Sequence, residues 1–269
     1  MVIDVNAYIG HYPFRNTKYH TAAELIALMD KYGVGYCCVA SLNAVYYSDC
    51  MKGNYELLKE IEPFKDRLLP FCVINPEYNC AMDDFKTCAG ELGFAGLRLF
   101  PKQQGYRLDD DPALAMLALA GEMKMPAHIP ILLEDLRGHH KLDISEPVGA
   151  DEIKNAALMA PDTDFILSNA YLQTYSKIIE PECKNRGGKI FYDIGRVDCL
   201  FSMTIGDLAA DCGYDRLVFG TGAMLQNIPV QFVKLHFIGE TLGVTPEQIE
   251  GIKSGNIKEL LLKNKHLLF

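Results

Sequence analysis

Eight short apolar segments alternate along the chain with longer stretches of helical periodicity, and this alternation limits the possible folds more than any other feature. The segments are rich in Val, Ile, Leu and Phe and are bounded by Gly, Pro, Asn or Asp, as expected for strands buried on both faces. The eight are VIDVNAYI, YCCVAS, LLPFCVI, AGLRLF, PAHIPILL, DFILS, KIFYDI and RLVFGT. Such a pattern predicts a parallel sheet with helices covering its faces.

Apolar residues at i, i+3 and i+4 predict the helices between these strands. The predicted ranges are 22–32, 55–64, 80–92, 112–124 and 152–160, with more helix from Pro229 to Leu262. Thr245 and Pro246 indicate a helix start within that last stretch. Eight strands, each followed by helix, predict a single (β/α)8 TIM-type barrel over residues 1–269. A doubly wound open sheet is the alternative, but no G-x-G-x-x-G follows the first strand.

Charge and hydropathy limit the kinds of partner. The chain has 26 Lys and Arg against 35 Asp and Glu, a formal charge of -9 that repels phosphate backbones and anionic lipids. No apolar run approaches the roughly 20 residues of a membrane span, and MVIDVNAYIG lacks the basic start of a signal peptide. We therefore expect a cytoplasmic protein with a small-molecule substrate and with neither nucleic acid nor membrane as partner.

The nine cysteines form no C-x-x-C pair, and several lie inside apolar segments such as YCCVAS. Disulfides and a zinc ribbon are poor interpretations of this spacing. Buried free thiols that fill the core are the better prediction.

In a (β/α)8 barrel the chemistry lies at the carboxyl ends of the strands. The first strand ends with Asn6, Tyr8 and His11, and Arg15 follows. Alternation predicts that Asp4, Asn6 and Tyr8 share one face and point into the barrel. Asn6 and Tyr8 could bond neighbouring strands or a ligand, and Arg15 could bind an anion or pack on a neighbouring aromatic ring.

Later segments supply further candidates. Asn43 follows the second strand among tyrosines and could orient a polar ligand or pack at the barrel end. Arg98 lies within an apolar strand, where a charge needs a partner, so it either meets an inward carboxylate such as Asp4 or Asp193 or binds an anionic substrate. Structural pairing is the preferred interpretation for Arg98.

The densest polar cluster is LLEDLRGHHKLD, which follows the strand PAHIPILL. A carboxylate and an imidazole at a barrel mouth can act as general acid and base. A solvated charged loop is the alternative. The candidates in this cluster are Glu134 and His139 for catalysis and Arg137 and His140 for substrate binding.

The remaining candidates follow later strands. Asn169 ends one strand, and Asp193 and Arg196 end the next. Asp193 could act as a base or pair with Arg98 or Arg196. His128 lies inside a strand and is expected to be a hydrogen-bonded core residue.

Five segments, in order, resemble the amidohydrolase-related family, a group of metal-dependent-hydrolase-like barrels that includes decarboxylases and lactonases. They are IDVNAYIG, FKDRLLPFCVINPEY, LGFAGLRLFP, DRLVFGTGAML and IEGIKSGNIKELL. Metal-binding members carry His-x-His at the end of the first strand, a further histidine on a middle strand and an aspartate after the eighth. This chain has Asn6, Tyr8, Asn169 and Gly222 there, which are poor ligands for a tight divalent site. The resemblance therefore implies the family's barrel with a degenerate metal site.

Two functions agree with this resemblance. The first is a lactonase-like hydrolase that acts on a small anionic or sugar-acid substrate without a required cofactor, although a divalent metal stays possible. Arg15, Arg98 and Arg196 would bind the substrate, and Asp193, Glu134 or His139 would serve as acid or base. The second is a catalytically inactive barrel that binds a ligand or serves in an assembly. The resemblance also implies a possible homodimer.

Overall fold

The structure is a computed structural model that describes residues 1–136, 140–195 and 203–262. Its eight strands form one parallel sheet in the order of the sequence. The strands are β1 (Ile3–Ile9), β2 (Tyr36–Ser41), β3 (Leu68–Val73), β4 (Gly96–Arg98), β5 (Ala127–Pro130), β6 (Phe165–Ser168), β7 (Ile190–Asp193) and β8 (Leu217–Val218). Each predicted segment contains one of these strands, so the strand prediction is confirmed.

Hydrogen bonds between β1 and the residues at and after β8 close the sheet. Val5 N–H donates to Phe219 O at 2.9 Å, and Tyr8 N–H donates to Ala223 O at 3.2 Å. Gly222 N–H donates to Asn6 O at 2.7 Å. The open-sheet alternative is therefore wrong, and the single TIM-type barrel is confirmed.

Twelve α-helices in the described residues accompany the strands. They are α1 (Ala22–Tyr32), α2 (Leu42–Tyr46), α3 (Cys50–Ile61), α4 (Ala81–Gly90), α5 (Pro101–Gln104), α6 (Asp111–Glu122), α7 (Ala150–Met159), α8 (Leu172–Cys183), α9 (Met203–Cys212), α10 (Pro229–Leu242), α11 (Pro246–Glu250) and α12 (Asn256–Leu262). Thr245 caps α11 as predicted, because its side chain accepts the Gln248 N–H. The predicted ranges do not include the short helices α2 and α5, nor α8, which contains Pro181, nor α9.

Two apolar layers stabilise the barrel. The inner layer includes Ile3 and Val5 of β1, Phe71 of β3 and Phe191 of β7, and residues of α12 pack against it. The outer layer lies between the strands and the surrounding helices. Most of the described cysteines are buried and free, in agreement with their predicted role as core residues.

One prediction for β1 is wrong. Ile3 and Val5 belong to the inner layer, so Asp4 between them points outward, where it accepts hydrogen bonds from Thr221 N–H at 2.9 Å and Thr221 Oγ1–H at 2.5 Å. The pairing register between β1 and β2 shifts between Asp4 and Ala7. Such an irregularity interrupts the alternation of side chains between the two faces of a strand. Asp4 therefore does not share the inward face with Asn6 and Tyr8.

None of the described helices is long and apolar enough to cross a membrane.

Candidate functional site

A cavity of about 800 Å³ opens at the carboxyl ends of the strands. Its walls come from the segments after β1, β5, β6, β7 and β8 and from the first turns of α10. Apolar side chains form much of the lining, including Ile131, Leu132, Pro147, Leu225 and Val230. This is the end of the barrel at which the sequence predicted chemistry.

An ion pair lies at the edge of this cavity. Arg15 Nε donates to Glu134 Oε2 at 3.1 Å, and Arg15 Nη2 donates to Glu134 Oε1 at 2.9 Å. Arg15 Nη2 also donates to Leu225 O at 2.8 Å. The contact joins the loops after β1, β5 and β8, and the bidentate geometry fixes the Glu134 carboxylate. Two predicted site residues, Arg15 and Glu134, therefore lie together.

A buried amide pair forms part of the floor. Asn6 Nδ2 donates to Asn169 Oδ1 and to Asp193 Oδ2, both at 2.9 Å. Asn169 Nδ2 donates to Tyr8 Oη at 3.2 Å, and Asn169 itself lines the cavity. Asn169 has a φ of 64°, a left-handed conformation that asparagine tolerates better than most residues. Four predicted site residues thus form one network.

Asp193 is fully buried beneath that floor. Gly195 N–H donates to Asp193 Oδ1 at 2.7 Å, and Gly195 lines the cavity. Burial raises the pKa of Asp193 to about 6, although hydrogen bonds from Asn6 and Gly195 and the charge of Lys234 act in the opposite direction. Asp193 therefore contacts lining residues, whereas Glu134 lines the cavity itself.

Two residues of α10 that the strand-end patterns did not predict also belong to the site. Lys234 and Gln231 both line the cavity, and they are only 4% and 3% exposed. Lys234 Nζ donates to Gly195 O at 2.7 Å and to Ile194 O at 3.1 Å. The sequence does indicate Lys234, because it is a charged residue in the apolar stretch FVKLHFIG of a predicted helix.

Arg98 donates to backbone carbonyl oxygens, whereas the preferred prediction was a direct pair with a carboxylate. It is fully buried, and it donates to Ala7 O at 2.9 Å and to Val5 O at 3.1 Å. Its guanidinium also lies over the Tyr8 ring, 4.9 Å from the centroid. Backbone carbonyls and an aromatic face replace the expected direct carboxylate pair, because the irregular β1 strand presents carbonyl oxygens at this level.

His128 is a core residue, as predicted. It is fully buried, and its Nε2 lies 2.7 Å from Ser168 Oγ. Burial lowers the pKa of His128 well below its ordinary value, and the charge of Arg98 adds to the effect. The imidazole is therefore neutral at physiological pH.

Three other candidates lie elsewhere at the barrel end. Asn43 Oδ1 accepts the N–H of His11 at 3.0 Å, and the His11 side chain is exposed. The His140 ring stacks on Phe14 with ring centroids 6.2 Å apart. Phe14 belongs to an aromatic cluster with Tyr12 and Tyr46, and Asn43, His11 and His140 are all absent from the cavity lining. Arg137, His139 and Arg196 lie outside the described residues.

No protein-family model and no curated protein matches the sequence. Solved structures match along almost the whole chain. One is a candidate amidohydrolase from Staphylococcus aureus, with 16% identity, a TM-score of 0.73 and coverage of 97% of this chain and 99% of that one. Another is a 2,6-dihydroxybenzoate decarboxylase from Rhizobium, with 15% identity, a TM-score of 0.69 and 98% coverage of each chain.

A third is a dihydroxybenzoic acid decarboxylase from a Polaromonas species with bound manganese and the inhibitor 2-nitroresorcinol. It has 15% identity and a TM-score of 0.71, and the match covers 100% of this chain and 99% of that one. The chain shares the (β/α)8 barrel fold of these structures. At these identities the likeness establishes the fold, and the site must be argued from its own residues.

The four positions that the family resemblance assigned to metal ligands are occupied by Asn6, Tyr8, Asn169 and Gly222, which do not fit a divalent cation. Asn6, Tyr8 and Asn169 are bonded to one another or to Asp193, the one carboxylate of that network. A Cβ added to Gly222, which has a φ of 67°, would lie 2.8 Å from Gln226 Cγ, so an aspartate there would require the Gln226 side chain to move. Within residues 1–136, 140–195 and 203–262, no cluster of three His, Cys, Asp or Glu side chains could hold a metal.

Proposed function

We propose that this amidohydrolase-type barrel is an enzyme that hydrolyses a small substrate bearing or forming a carboxylate, without a divalent cation. The observation that carries the proposal is the cavity itself, which combines a fixed carboxylate, Glu134, with a buried ammonium group, Lys234. A base and a stabilising positive charge in one cavity are the minimum that metal-free hydrolysis requires.

The cavity walls favour a substrate with an apolar body. Ile131, Leu132, Pro147, Leu225 and Val230 cannot pair with the many hydroxyl groups of a sugar acid, and unpaired hydroxyl groups are costly to bury. Tyr171 and Tyr175 add aromatic surface. A small aromatic or aliphatic carboxylate, or its lactone, therefore fits these walls better than a sugar-acid lactone does. Two similar solved structures contain small aromatic molecules, 2,6-dihydroxybenzoate and 2-nitroresorcinol.

For a lactone, we assign the base to Glu134. Its carboxylate takes a proton from water as the water oxygen attacks the carbonyl carbon, and Lys234 stabilises the negative charge that forms on the carbonyl oxygen. The ring C–O bond then breaks, and the leaving oxygen receives the proton from Glu134. Arg15 orients Glu134 through its bidentate contact.

Asp193 is assigned a positioning role. Its carboxylate fixes Asn6, which in turn fixes the cavity-lining Asn169. Because Asp193 is fully buried, it would act on the substrate through these amides.

A binding protein without catalysis is the second candidate. The observation that favours it is that Glu134 already accepts two hydrogen bonds from Arg15, which leaves less of the carboxylate for a water molecule. Under this alternative Lys234 would still attract a carboxylate ligand.

The deciding experiment follows hydrolysis of dihydrocoumarin, an aromatic lactone, by chain dialysed against a chelator. We expect turnover that added Mn²⁺ or Zn²⁺ does not increase, and loss of turnover in Glu134→Gln. Glucono-1,5-lactone tests the sugar-acid class in the same assay. Turnover that appears only after a metal is added would overturn metal independence. Benzoate binding without turnover of either lactone would support the binding protein.

A further inference from the structure

The Gln231 amide is a buried polar group in the cavity wall whose bonding is incomplete. Gln231 is 3% exposed and lines the cavity. Its Oε1 has no hydrogen-bond partner within the described part of the chain. Buried side-chain acceptors are usually paired, so an unpaired one beside a cavity points to a ligand group that completes the bond.

Gln231 lies one helical turn before Lys234 on α10. Residues three apart on a helix lie on the same face, with their Cβ atoms about 5–6 Å apart. Lys234 is fixed by the carbonyl oxygens of Ile194 and Gly195. A positive charge and an acceptor thus stand side by side on one wall, at a spacing that one small molecule can span.

We propose that Gln231 is a specificity-determining residue that accepts a hydrogen bond from an O–H or N–H group of the ligand whose carboxylate lies at Lys234. This inference rests on the proposed function, because it places the ligand in the same cavity. It adds the substituent that the ligand must carry. The ligand class is a carboxylate with an apolar body and one hydrogen-bond donor close to the acid group.

The amide oxygen of Gln231 only accepts hydrogen bonds, so it distinguishes ligands that carry a donor from ligands that do not. A hydroxyl substituent can give its hydrogen to Oε1, whereas a fluorine of similar size cannot. A site built around a buried acceptor discriminates strongly against ligands that leave it unpaired. Tighter binding of a hydroxy ligand than of the fluoro ligand of similar volume therefore measures the hydrogen bond to Gln231.

The test measures binding of benzoate, the three monohydroxybenzoates and the three monofluorobenzoates to the full chain by titration calorimetry. At least one hydroxy isomer should bind roughly tenfold more tightly than its fluoro counterpart and than benzoate. Gln231→Met should remove that preference and leave benzoate binding within about twofold of the unsubstituted chain. Gln226→Met, at another cavity-lining glutamine, should preserve the preference.

Thermal unfolding separates this role from a structural one. Gln231→Met removes an unpaired buried acceptor, so its Tm should equal or exceed that of the natural chain. A lower Tm together with a retained hydroxyl preference would overturn the inference. Equal binding of every hydroxy and fluoro pair by the natural chain would overturn it without any variant and leave the proposed carboxylate site intact. Failure of all seven compounds to bind would overturn the carboxylate site first and the role of Gln231 with it.

Discussion

Asn6 and Asp193 stand 187 residues apart in sequence and share a 2.9 Å hydrogen bond across the interior of the barrel. The same Asn6 amide nitrogen donates to Asn169, which lines the cavity. One amide therefore links a fully buried carboxylate to the cavity floor. Together with Tyr8, these residues form one hydrogen-bonded network that fixes the orientation of the Asn169 amide.

Replacing Asp193 tests that link. In Asp193→Asn, one carboxylate oxygen becomes an N–H₂ group, so the acceptors for Gly195 N–H and Asn6 Nδ2–H can no longer both be present. We expect a loss of about 1–3 kcal/mol in the free energy of unfolding and loss of lactone turnover in a protein that still folds. Urea unfolding and the dihydrocoumarin assay measure these effects. Asp207→Asn, at an exposed position, is the control, and full turnover in Asp193→Asn would remove Asp193 from the site.

Asp4 predicts a pH dependence of stability. Its carboxyl group is buried, and burial raises its pKa from 3.8 to about 7 although Thr221 and the Asn6 N–H donate to it. The folded chain therefore holds this proton more tightly than the unfolded chain. The stabilisation is complete below pH 3.8 and is lost as the pH rises to about 7, by an amount on the order of 4 kcal/mol.

The measurement compares Asp4→Asn with the natural chain by urea unfolding between pH 4 and 8. The variant lacks the buried charge, so the natural chain should lose unfolding free energy relative to the variant as the pH rises. This relative loss should level off above pH 7. Asp207→Asn corrects for the general loss of one negative charge. A difference between Asp4→Asn and the natural chain that stays constant across this range would contradict the prediction.

Lys234 is expected to dominate anion binding. Lys234→Met keeps the apolar stem and removes the ammonium group, so benzoate should bind at least tenfold more weakly. Lys177→Met removes a charge from an exposed position of α8 and should leave benzoate affinity unchanged. Calorimetry measures both. Unchanged affinity in a folded Lys234→Met variant would place the carboxylate elsewhere in the cavity.

The sequence predicted the barrel because that fold follows from repeated local patterns. Each strand is a short apolar run between turn residues, and eight such runs with helices between them leave few arrangements. The sequence also placed Arg15, Glu134, Asn6, Tyr8, Asn169 and Asp193 at the correct end of the barrel.

Some contacts depend on features that spacing does not reveal. The register shift in β1 turned Asp4 outward and brought the carbonyl oxygens of Val5 and Ala7 to Arg98. Lys234 and Gln231 were not predicted, because they belong to a helix after the last strand and the predicted site residues all belonged to strands or followed them. Long-range partners of this kind are set by tertiary packing.

The hydrogen-bonded network of Asn6, Tyr8, Asn169 and Asp193 predicts a low metal content. Chain purified without chelator should contain divalent metal well below one ion per polypeptide by elemental analysis, because amide groups and a phenol are weak ligands for such ions. Added Mn²⁺ should leave the Tm unchanged, since a ligand that binds the folded state would raise it. A stoichiometric ion would show that other side chains complete a metal site.

Arg98 is predicted to stabilise the fold without a role in binding. Its guanidinium is fully buried and donates to two carbonyl oxygens of β1, so Arg98→Met leaves both carbonyls without these donors and should cost about 3 kcal/mol in unfolding free energy. Arg67 also donates to two carbonyl oxygens, those of Gly35 and Val34, but its side chain is 28% exposed. Because water can reach that site, Arg67→Met should cost less.

The sequence left two roles open for Arg98, a structural one and substrate binding. Benzoate affinity separates them when it is measured under conditions in which Arg98→Met and the milder Arg98→Lys remain folded. We expect both variants to bind benzoate as the natural chain does, because Tyr8 covers the guanidinium and the β1 carbonyls occupy it. Loss of benzoate binding in folded Arg98→Lys, with Arg67→Met unaffected, would return Arg98 to the substrate site.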